Sequence, residues 1–582
     1  MSDWVRAGAI NDIRDGGARS FAYLDKRIAL FRTRDGVFAC DNRCPHQGYA
    51  LVRGDVNDGV LTCAWHNWKF ELGTGVCRYG GENIRTYPVQ VSGGQVFIDI
   101  ADPPAEIIRP ELFGSLTAAM EDLDIGRVAR DAMRLQRIGT PLAEVIREGV
   151  RYAAPRAEYG WDHSLATLAD CLRMSWYFDE SLRALPVIQG LSVAADSQVR
   201  RPLRARPEPV DPVARYGSVA EALAAYPVLV DQERAGEAEA LFRGLIVAGV
   251  APQMLRHTLL TAVTDHFLAY GHSMIFVQKA FELLEQIGWQ EADAVLSPLV
   301  PEMVLGTRYD KLPYMRKFLR AWQEAGPDLA SLAAGSGTGH FDQASFRRAL
   351  TDGSPADAAG ALMGALGAGA PVAAVIDATG RAAAERLARF DIDLDLDDTN
   401  EWGWLDVTHT LTYLNALRWA WSADPSPQVL RGLFHAAWFV QWTGQFDARD
   451  PGQRDGRPQP RRTGDAAQLH QAIARRDPEA AVALVAGYTG PRAELERSLI
   501  RAAAEDHSTA PIMVAHVVKT AQAAVQESRA LGSGPGSAEP IAAAARFLAS
   551  PKRERFVYQS TLDAITTLRG LPKPESDQVR HP

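Results

Sequence analysis

The 582-residue chain has few of the features that mark secreted, membrane-spanning or nucleic-acid-binding proteins. It contains only 5 cysteines, too few for a disulfide framework at this length. No apolar run reaches the ~20 residues that span a bilayer, and the N-terminal segment lacks the basic start and apolar stretch of a signal peptide. Lysine and arginine total 62 against 71 acidic residues, and no basic stripe suggests a nucleic-acid surface. We therefore expect a cytoplasmic protein that binds neither membrane nor nucleic acid.

Two short motifs near the start of the chain combine cysteine with histidine. Cys44-Pro45-His46 and Cys63-Ala64-Trp65-His66 read C-x-H and C-x-x-H, with sixteen residues between them. This pattern is typical of a Rieske [2Fe–2S] cluster, in which two thiolates hold one iron and two imidazoles hold the other. A zinc site is the alternative, since Cys₂His₂ sets also bind zinc. The predicted ligands of the cluster are Cys44, His46, Cys63 and His66.

The residues around the motifs favour the cluster over zinc. Short apolar runs precede each motif, and Trp68-Lys69-Phe70 with the glycine-rich residues 71–75 follows the second. This segment resembles the strand after the second ligand loop in Rieske ferredoxins and ring-hydroxylating oxygenases, and the resemblance covers about residues 3–102. Respiratory Rieske proteins add a cysteine to each loop, which this chain lacks. The resemblance thus implies a cluster near the low end of the Rieske range, roughly −150 mV, reduced by a flavin-dependent reductase that uses NAD(P)H.

The composition of the chain changes after the motifs. Up to about residue 102, β-branched and aromatic residues alternate with glycine and asparagine turns, a pattern that predicts strands. From Leu112 onward the chain is rich in alanine, leucine, arginine and glutamate with a helical period. We predict a multidomain chain with a small all-β Rieske domain at 1–103 and a large all-α domain at 104–582. Polar loops or linkers are expected near 200–215, 447–465 and 532–540.

Histidines in apolar helical stretches predict a second metal site in the helical domain. Imidazole suits iron, zinc and copper alike; we favour non-heme iron, one or two ions, because zinc cannot accept electrons from a Rieske cluster. The alternative for each histidine is that it is a core residue whose ring nitrogens are hydrogen-bonded within the protein. The candidate ligands are His163, His257, His272, His409, His435, His507 and His516.

Two of these histidines lie on a predicted helical hairpin. Residues 404–421 and 427–443 read as helices joined by the short loop 422–426, which implies an antiparallel pair. At 1.5 Å per residue, His409 and His435 differ in height by roughly 6 Å. The two rings are therefore expected to face one pocket. Asp406, one turn before His409, is expected to ligate or orient it.

The helical region also resembles the questin oxidase-like family of all-helical proteins. The resemblance rests on four short elements in matching order across about residues 158–525. It implies oxidation of polyketide-type aromatics with insertion of oxygen. The elements are Trp161-Asp162-His163-Ser164-Leu165, Arg256-His257-Thr258-Leu259-Leu260, Phe434-His435 or Thr408-His409, and His516-Val517-Val518-Lys519.

Together these features predict an O₂-dependent oxygenase that carries its own electron donor. The Rieske domain would pass electrons from the reductase to iron in the helical domain, where a small organic substrate is oxidised; the sequence identifies no catalytic residue beyond the metal ligands. One alternative is a ring-hydroxylating enzyme with mononuclear iron, for which Asp406-x-x-His409 matches only half of the motif. The other alternative is an electron carrier tethered to a non-catalytic helical scaffold.

Overall fold

The computed structural model describes residues 2–335, 337–397, 402–448, 465–505, 508–534, 536–554 and 557–569. The chain forms two compact units, Met1–Pro141 and Leu142–Pro582. Of the predicted polar loops, 447–465 lies almost wholly outside the described residues. Residues 200–211 have no regular structure, and turns occupy most of 532–538 in the described part of that segment.

The first unit begins with short antiparallel strands. These are β1 Trp4–Ala9, β2 Ala18–Tyr23, β3 Lys26–Thr33, β4 Gly36–Asp41, β5 Asp55–Asn57, β6 Val60–Thr62, β7 Lys69–Glu71, β8 Cys77–Tyr79, β9 Thr86–Tyr87, β10 Val89–Ser92 and β11 Gln95–Asp99. They form three sheets with the strand orders β1-β11-β10, β2-β3-β4-β9 and β5-β6-β7-β8. The predicted all-β domain is therefore confirmed.

Strand β3 explains how so small a unit acquires a core. Its run Ile28 to Phe31 is apolar at every position and fully buried, so both faces of the sheet are covered. Ile28 and Leu30 pack with β4, β10 and β11 residues on one face. Ala29 and Phe31 pack on the other face with Cys40 and the residues that flank the two cysteine–histidine motifs. The second core thus supports the ligand loops directly.

Two helices complete the first unit, α1 Ala105–Glu121 and α2 Ile125–Arg137. The change from strand to helix falls after Asp99, close to the predicted position. The compact unit nevertheless extends to Pro141 rather than to residue 103. Arg130 and Arg134 of α2 both bind Glu82, which is 5% exposed, and these ion pairs tie α2 to the strand region.

The described part of the second unit is helical, and its only strand-like pairings are isolated bridges. Its helices are α3 Leu142–Ala153, α4 His163–Met174, α5 Leu185–Gln198, α6 Pro212–Tyr216, α7 Val219–Asp231, α8 Ala235–Val247, α9 Pro252–Asp265, α10 His272–Ile287, α11 Ala292–Leu296, α12 Leu299–Leu305, α13 Arg316–Ala325, α14 Leu329–Ala333, α15 Gln343–Thr351, α16 Pro355–Gly367, α17 Val372–Arg389, α18 Ile392–Leu396, α19 Trp404–Ala423, α20 Pro427–Trp442, α21 Ala467–Ala474, α22 Pro478–Gly487, α23 Arg492–Ala504, α24 Pro511–Ala530, α25 Glu539–Ala549 and α26 Val557–Leu568. The predicted hairpin of α19 and α20 is confirmed. Among the described residues, no helix is both long and apolar enough to cross a bilayer.

Helices α4, α10, α19 and α24 form a closed ring of neighbours at the centre of this unit. His163 of α4 meets His272 of α10, and Asp170 meets Lys279 seven residues further along each helix. These two pairings require the helices to run parallel. Contacts from His409 and Asn415 of α19 to α10 and α24 have the same direction. The four helices therefore present one histidine layer and, one to two turns later, a polar layer.

Candidate metal centres

The two cysteine–histidine motifs lie in neighbouring loops of the first unit. The first loop follows β4 and the second joins β6 to β7. Backbone bonds close each loop: the amide of Cys44 donates to Tyr49 O at 2.8 Å, and that of Cys63 donates to Trp68 O at 2.7 Å. Because these turns use local backbone groups, a short sequence motif is enough to build them.

The loops bring the four predicted ligands together. Cys44 and Cys63 are each 2% exposed, and the rings of His46 and His66 lie 4.6 Å apart between centroids. Trp68 stacks on His46 at 4.9 Å and fixes the plane of that ring. The set of two thiols and two imidazoles matches the mixed ligation of a Rieske cluster.

Two further observations test whether the cluster fits. His46 Nδ1 is buried and has no hydrogen-bond partner among the residues that the structure describes, a costly state unless the nitrogen binds a metal. Burial raises the pKa of the Cys44 thiol to about 11, and the neighbouring Cys63 adds to this effect. Such a buried pair needs cations to become the thiolates that ligate iron. The residues fit a [2Fe–2S] cluster.

A second constellation lies in the histidine layer of the helical unit. His163, His272, His409 and His516 each place a ring nitrogen within 4.8 Å of the others, which is close enough to hold a metal ion. These residues come from the four parallel helices and span more than 350 positions of the chain. His409 and His516 are 3% and 1% exposed, whereas His163 and His272 keep partial access. Two of the four residues are therefore fully buried and two are partly exposed.

Backbone carbonyls fix the tautomer of three of these imidazoles. Ala269 O faces His272 Nδ1 at 2.6 Å, Ile512 O faces His516 Nδ1 at 2.7 Å, and Leu405 O faces His409 Nδ1. A carbonyl only accepts, so each Nδ1 carries the proton and each Nε2 keeps its lone pair. This arrangement orients metal-binding histidines in proteins.

The bare nitrogens converge. His272 Nε2 lies 2.9 Å from His409 Nε2 and 3.1 Å from His163 Nε2, and the buried His516 Nε2 has no partner in the described part of the chain. Two lone pairs at 2.9 Å repel unless a cation lies between them. Nitrogens bound at ~2.1 Å to one metal and at right angles are about 3 Å apart. The spacing therefore suits a single metal ion.

The electrostatics of the layer keep the imidazoles uncharged. Burial lowers the pKa of His272 to about 3, and the nearby Lys519 adds to this effect. The same causes hold the pKa values of His163, His409 and His516 well below the usual value. Neutral imidazole is the form that ligates metals.

The turn before α10 is strained in a way that serves His272. Ala269, Tyr270 and Gly271 have φ values of 46°, 59° and 85°, in the left-handed region that only glycine adopts readily. A Cβ on Gly271 would lie 2.7 Å from Tyr413 Cδ2, so the position requires glycine. The turn aims Ala269 O at His272 Nδ1, and strain of this kind concentrates at functional sites.

The structure does not bring the other predicted ligands to this layer. His257 is half exposed and binds Asp424 Oδ2 at 2.7 Å. His435 is buried but packs against Phe267, with ring centroids 5.8 Å apart; His409 and His435 therefore do not share a pocket, although their helices form as predicted. His507 lies outside the described residues.

Asp406 does not take the expected role either. Its Oδ2 accepts a hydrogen bond from the amide of Gly403 at 2.8 Å and caps α19. Leu405 O, one position earlier, accepts the hydrogen bond from His409 Nδ1 instead. The difference arises because a helix carbonyl lies directly below a side chain four residues later, so a neighbouring carboxylate is not needed.

Lys519 is a residue of the layer that the sequence did not single out as functional. Its Nζ lies 2.9 Å from His409 Nε2, and its side chain is 1% exposed. Burial lowers the pKa of its amine well below the usual value, partly opposed by Asp170. The available signals were its place three residues after His516, which puts both on one helix face, and its position at the end of the element His516-Val517-Val518-Lys519.

Comparisons with known proteins concern the first unit. The model of the Rieske [2Fe-2S] domain matches residues 3–88. The ferredoxin component of the naphthalene 1,2-dioxygenase system of Pseudomonas putida is 30% identical over 100 residues, which cover 17% of this chain and 96% of that protein. The 4beta-methylsterol monooxygenase of Methylococcus capsulatus is 40% identical over 88 residues, 13% of this chain and 24% of that protein.

Among solved structures, the Sphingomonas yanoikuyae B1 ferredoxin is similar to this chain. It is 25% identical, with a TM-score of 0.17, and the alignment covers 17% of this chain and 100% of the ferredoxin. Each of these similarities covers 17% of the chain or less.

Proposed function

Because the chain belongs through its first unit to the Rieske [2Fe-2S] domain family, we propose that it is an iron-dependent oxygenase that carries its own electron carrier. Cys44, His46, Cys63 and His66 would hold the cluster. The layer of His163, His272, His409 and His516 would hold one non-heme iron ion. Electrons would come from a flavin-dependent reductase that uses NAD(P)H and pass from the cluster to this iron.

The observation that carries the proposal is the convergence of bare imidazole nitrogens in the helical unit. At least His272, His409 and His516 present unprotonated Nε2 atoms to a common centre. Imidazole accepts several metals. Iron is the choice here because a one-electron carrier shares the chain, and zinc would have no use for its electrons.

Iron bound in this layer would supply the reductive activation of O₂. The protein's own residues would orient the imidazoles and exclude water. Backbone carbonyls hold the imidazoles in one tautomer, and burial of His409 and His516 excludes water from the inner side. The partial access of His163 and His272 leaves one side for O₂ and substrate to approach.

Aromatic side chains beside the layer support an aromatic organic substrate. The ring of Tyr270 lies 5.5 Å from that of His409 and packs against Tyr309 at 5.3 Å and Trp442 at 5.8 Å. The hydroxyls of Tyr270 and Tyr314 are buried, and neither has a hydrogen-bond partner within the described ranges of the chain. An apolar wall with a few free polar groups is typical of small-molecule sites. These hydroxyls would bind oxygen substituents of the substrate.

One contact favours a second candidate, an electron carrier on a non-catalytic scaffold. Lys519 donates to His409 at 2.9 Å, which satisfies one imidazole without a metal. That hydrogen bond leaves His516 Nε2 without a partner among the described residues, and it does not explain the 2.9 Å contact between His272 and His409. We therefore rank the scaffold second.

Elemental analysis of the full chain separates the two candidates. The oxygenase should contain about three irons per chain, two in the cluster and one in the histidine layer, and should consume O₂ when NADH, a flavin reductase and an aromatic substrate are supplied. A well-folded chain that retains only two irons after anaerobic loading with ferrous ion would exclude the oxygenase and leave the scaffold.

A further inference from the structure

Lys519 lies inside the histidine layer without being one of its expected ligands. It follows His516 by three residues on α24, so the two side chains share a helix face. Its Nζ lies 2.9 Å from His409 Nε2. Because His409 Nδ1 donates to Leu405 O, this Nε2 is the lone-pair nitrogen and Lys519 is the donor.

A metal in the layer would displace this hydrogen bond. The ion would take the lone pair of His409, and Lys519 would lose its acceptor while remaining 1% exposed. A buried donor without a partner is costly, so Lys519 would need another acceptor beside His409. Asp170 has one oxygen engaged by Lys279 Nζ at 2.7 Å, whereas its buried Oδ2 has no partner in the described part of the chain. Asp170 is therefore the acceptor within the protein that competes with an anion for Lys519.

The surroundings favour an anionic acceptor. The four imidazoles are neutral, so they would not offset the charge of a metal ion. The positive end of α10 begins at His272, and its N-cap residue Gly271 offers no side chain to the first free amides. Both features attract a small anion to the layer.

We propose that Lys519 donates a hydrogen bond to a small anion bound beside the four histidines, of the kind that forms when O₂ is reduced. The inference rests on the proposed function and makes Lys519 a catalytic residue of it. The hydrogen bond requires only an N–H on Nζ.

Azide titration of the iron-loaded full chain tests this. With the chain oxidised, the two ferric ions of the cluster couple to a silent state, so electron resonance reports the ferric ion of the layer alone. Lys519→Met removes the donor, Lys519→Gln keeps one, and Lys552→Met is a control at a partly buried lysine that binds Leu548 O and Ser550 O instead. We expect equal iron contents, an azide Kd about 10-fold higher in Lys519→Met, and little change in the other two.

Three results would overturn the inference. The first is a Lys519→Met chain that binds azide as tightly as the wild type, as expected if Lys519 turns to Asp170. The second is a variant that loses its iron while keeping its helices, which would make Lys519 a ligand. If the variant does not fold, the azide complex of the wild type is measured by magnetic resonance in H₂O and in D₂O. The inference requires an exchangeable proton near the azide. The absence of that proton is the third result that would overturn it. A wild type with only cluster iron would overturn the proposed function as well.

Discussion

The two units of this chain build their candidate metal-binding sites in opposite ways. In the first unit the four predicted ligands lie within 23 residues, from Cys44 to His66, on two loops closed by their own backbone. In the second, the four histidines come from helices that begin between His163 and Pro511. A local site is encoded by spacing, whereas a distributed site is encoded by which helices become neighbours.

The largest expected effect is loss of the cluster. Cys63→Ser or His46→Ala should abolish the visible and electron-resonance spectrum of the reduced [2Fe–2S] centre, because each removes a ligand on which an iron depends. The helical unit should keep its circular dichroism and its own iron, since it is a separate compact unit. A cluster spectrum that survives both substitutions would refute the ligand assignment.

The next effect tests the distributed site. His409→Ala should weaken iron binding in the helical unit about 100-fold or more, since even residues behind a ligand contribute 10- to 100-fold. His435→Ala, on the neighbouring helix α20, is the matched control and should leave the iron content unchanged. Iron content is measured by elemental analysis, with the cluster spectrum intact. If both variants lose iron equally, His409 would not differ from His435 in binding iron.

The same pair of histidines shows what the sequence could and could not establish. The C-x-H and C-x-x-H motifs picked out four residues that the structure brings together, since each loop folds on local contacts. The helical period found α19 and α20 and their short loop, and it placed both histidines in apolar stretches. It could not show that His409 faces α10 and α24 while His435 faces Phe267, because the partner of a helix face is a tertiary choice.

The candidate set from sequence contained all four histidines of the layer, but nothing separated them from His257. That separation depends on exposure: His257 is half exposed and bound to Asp424, and only the fold reveals this. Lys519 was missed because an apolar helix face with one lysine has no spacing signature. The strained turn at residues 269–271, which sets His272, is likewise invisible in a pattern of residue types.

The next effect, smaller than the loss of metal binding, concerns the polar layer below the histidines and the stability of the fold. Lys279 and Asp170, 2% and 0% exposed, form a salt bridge at 2.7 Å between α10 and α4. Lys279→Met leaves the carboxylate of Asp170 buried without its main partner and should lower the free energy of unfolding by about 3 kcal/mol. The double variant Lys279→Met, Asp170→Leu should recover most of this loss in urea unfolding. An equal loss in the double variant would show that Lys279 stabilises the fold chiefly through Glu282, its other buried partner at 3.3 Å.

The smallest effect concerns a buried acid that supports the histidine layer of the helical unit. Glu302 accepts a hydrogen bond from Ser273, next to His272, at 3.0 Å, and burial raises its pKa from 4.5 to about 8. The folded chain therefore holds this proton more tightly than the unfolded chain does. The resulting stabilisation is complete below pH 4.5 and is lost as the pH rises through the folded pKa.

Glu302→Gln keeps the shape of the side chain and removes the titration. The stability of the wild type relative to this variant should therefore fall by about 1.4 kcal/mol per pH unit between about pH 6 and pH 7. Thermal melts of the helical signal at the two pH values measure the difference, and both chains contain the same other titrating groups. A difference independent of pH would mean that Glu302 is ionised in the fold. The helical unit would then contain an uncompensated negative charge beside Ser273. At this residue, the histidine layer would no longer be positioned by buried neutral groups, and it would not differ in this respect from the cluster site, which is closed by its own backbone.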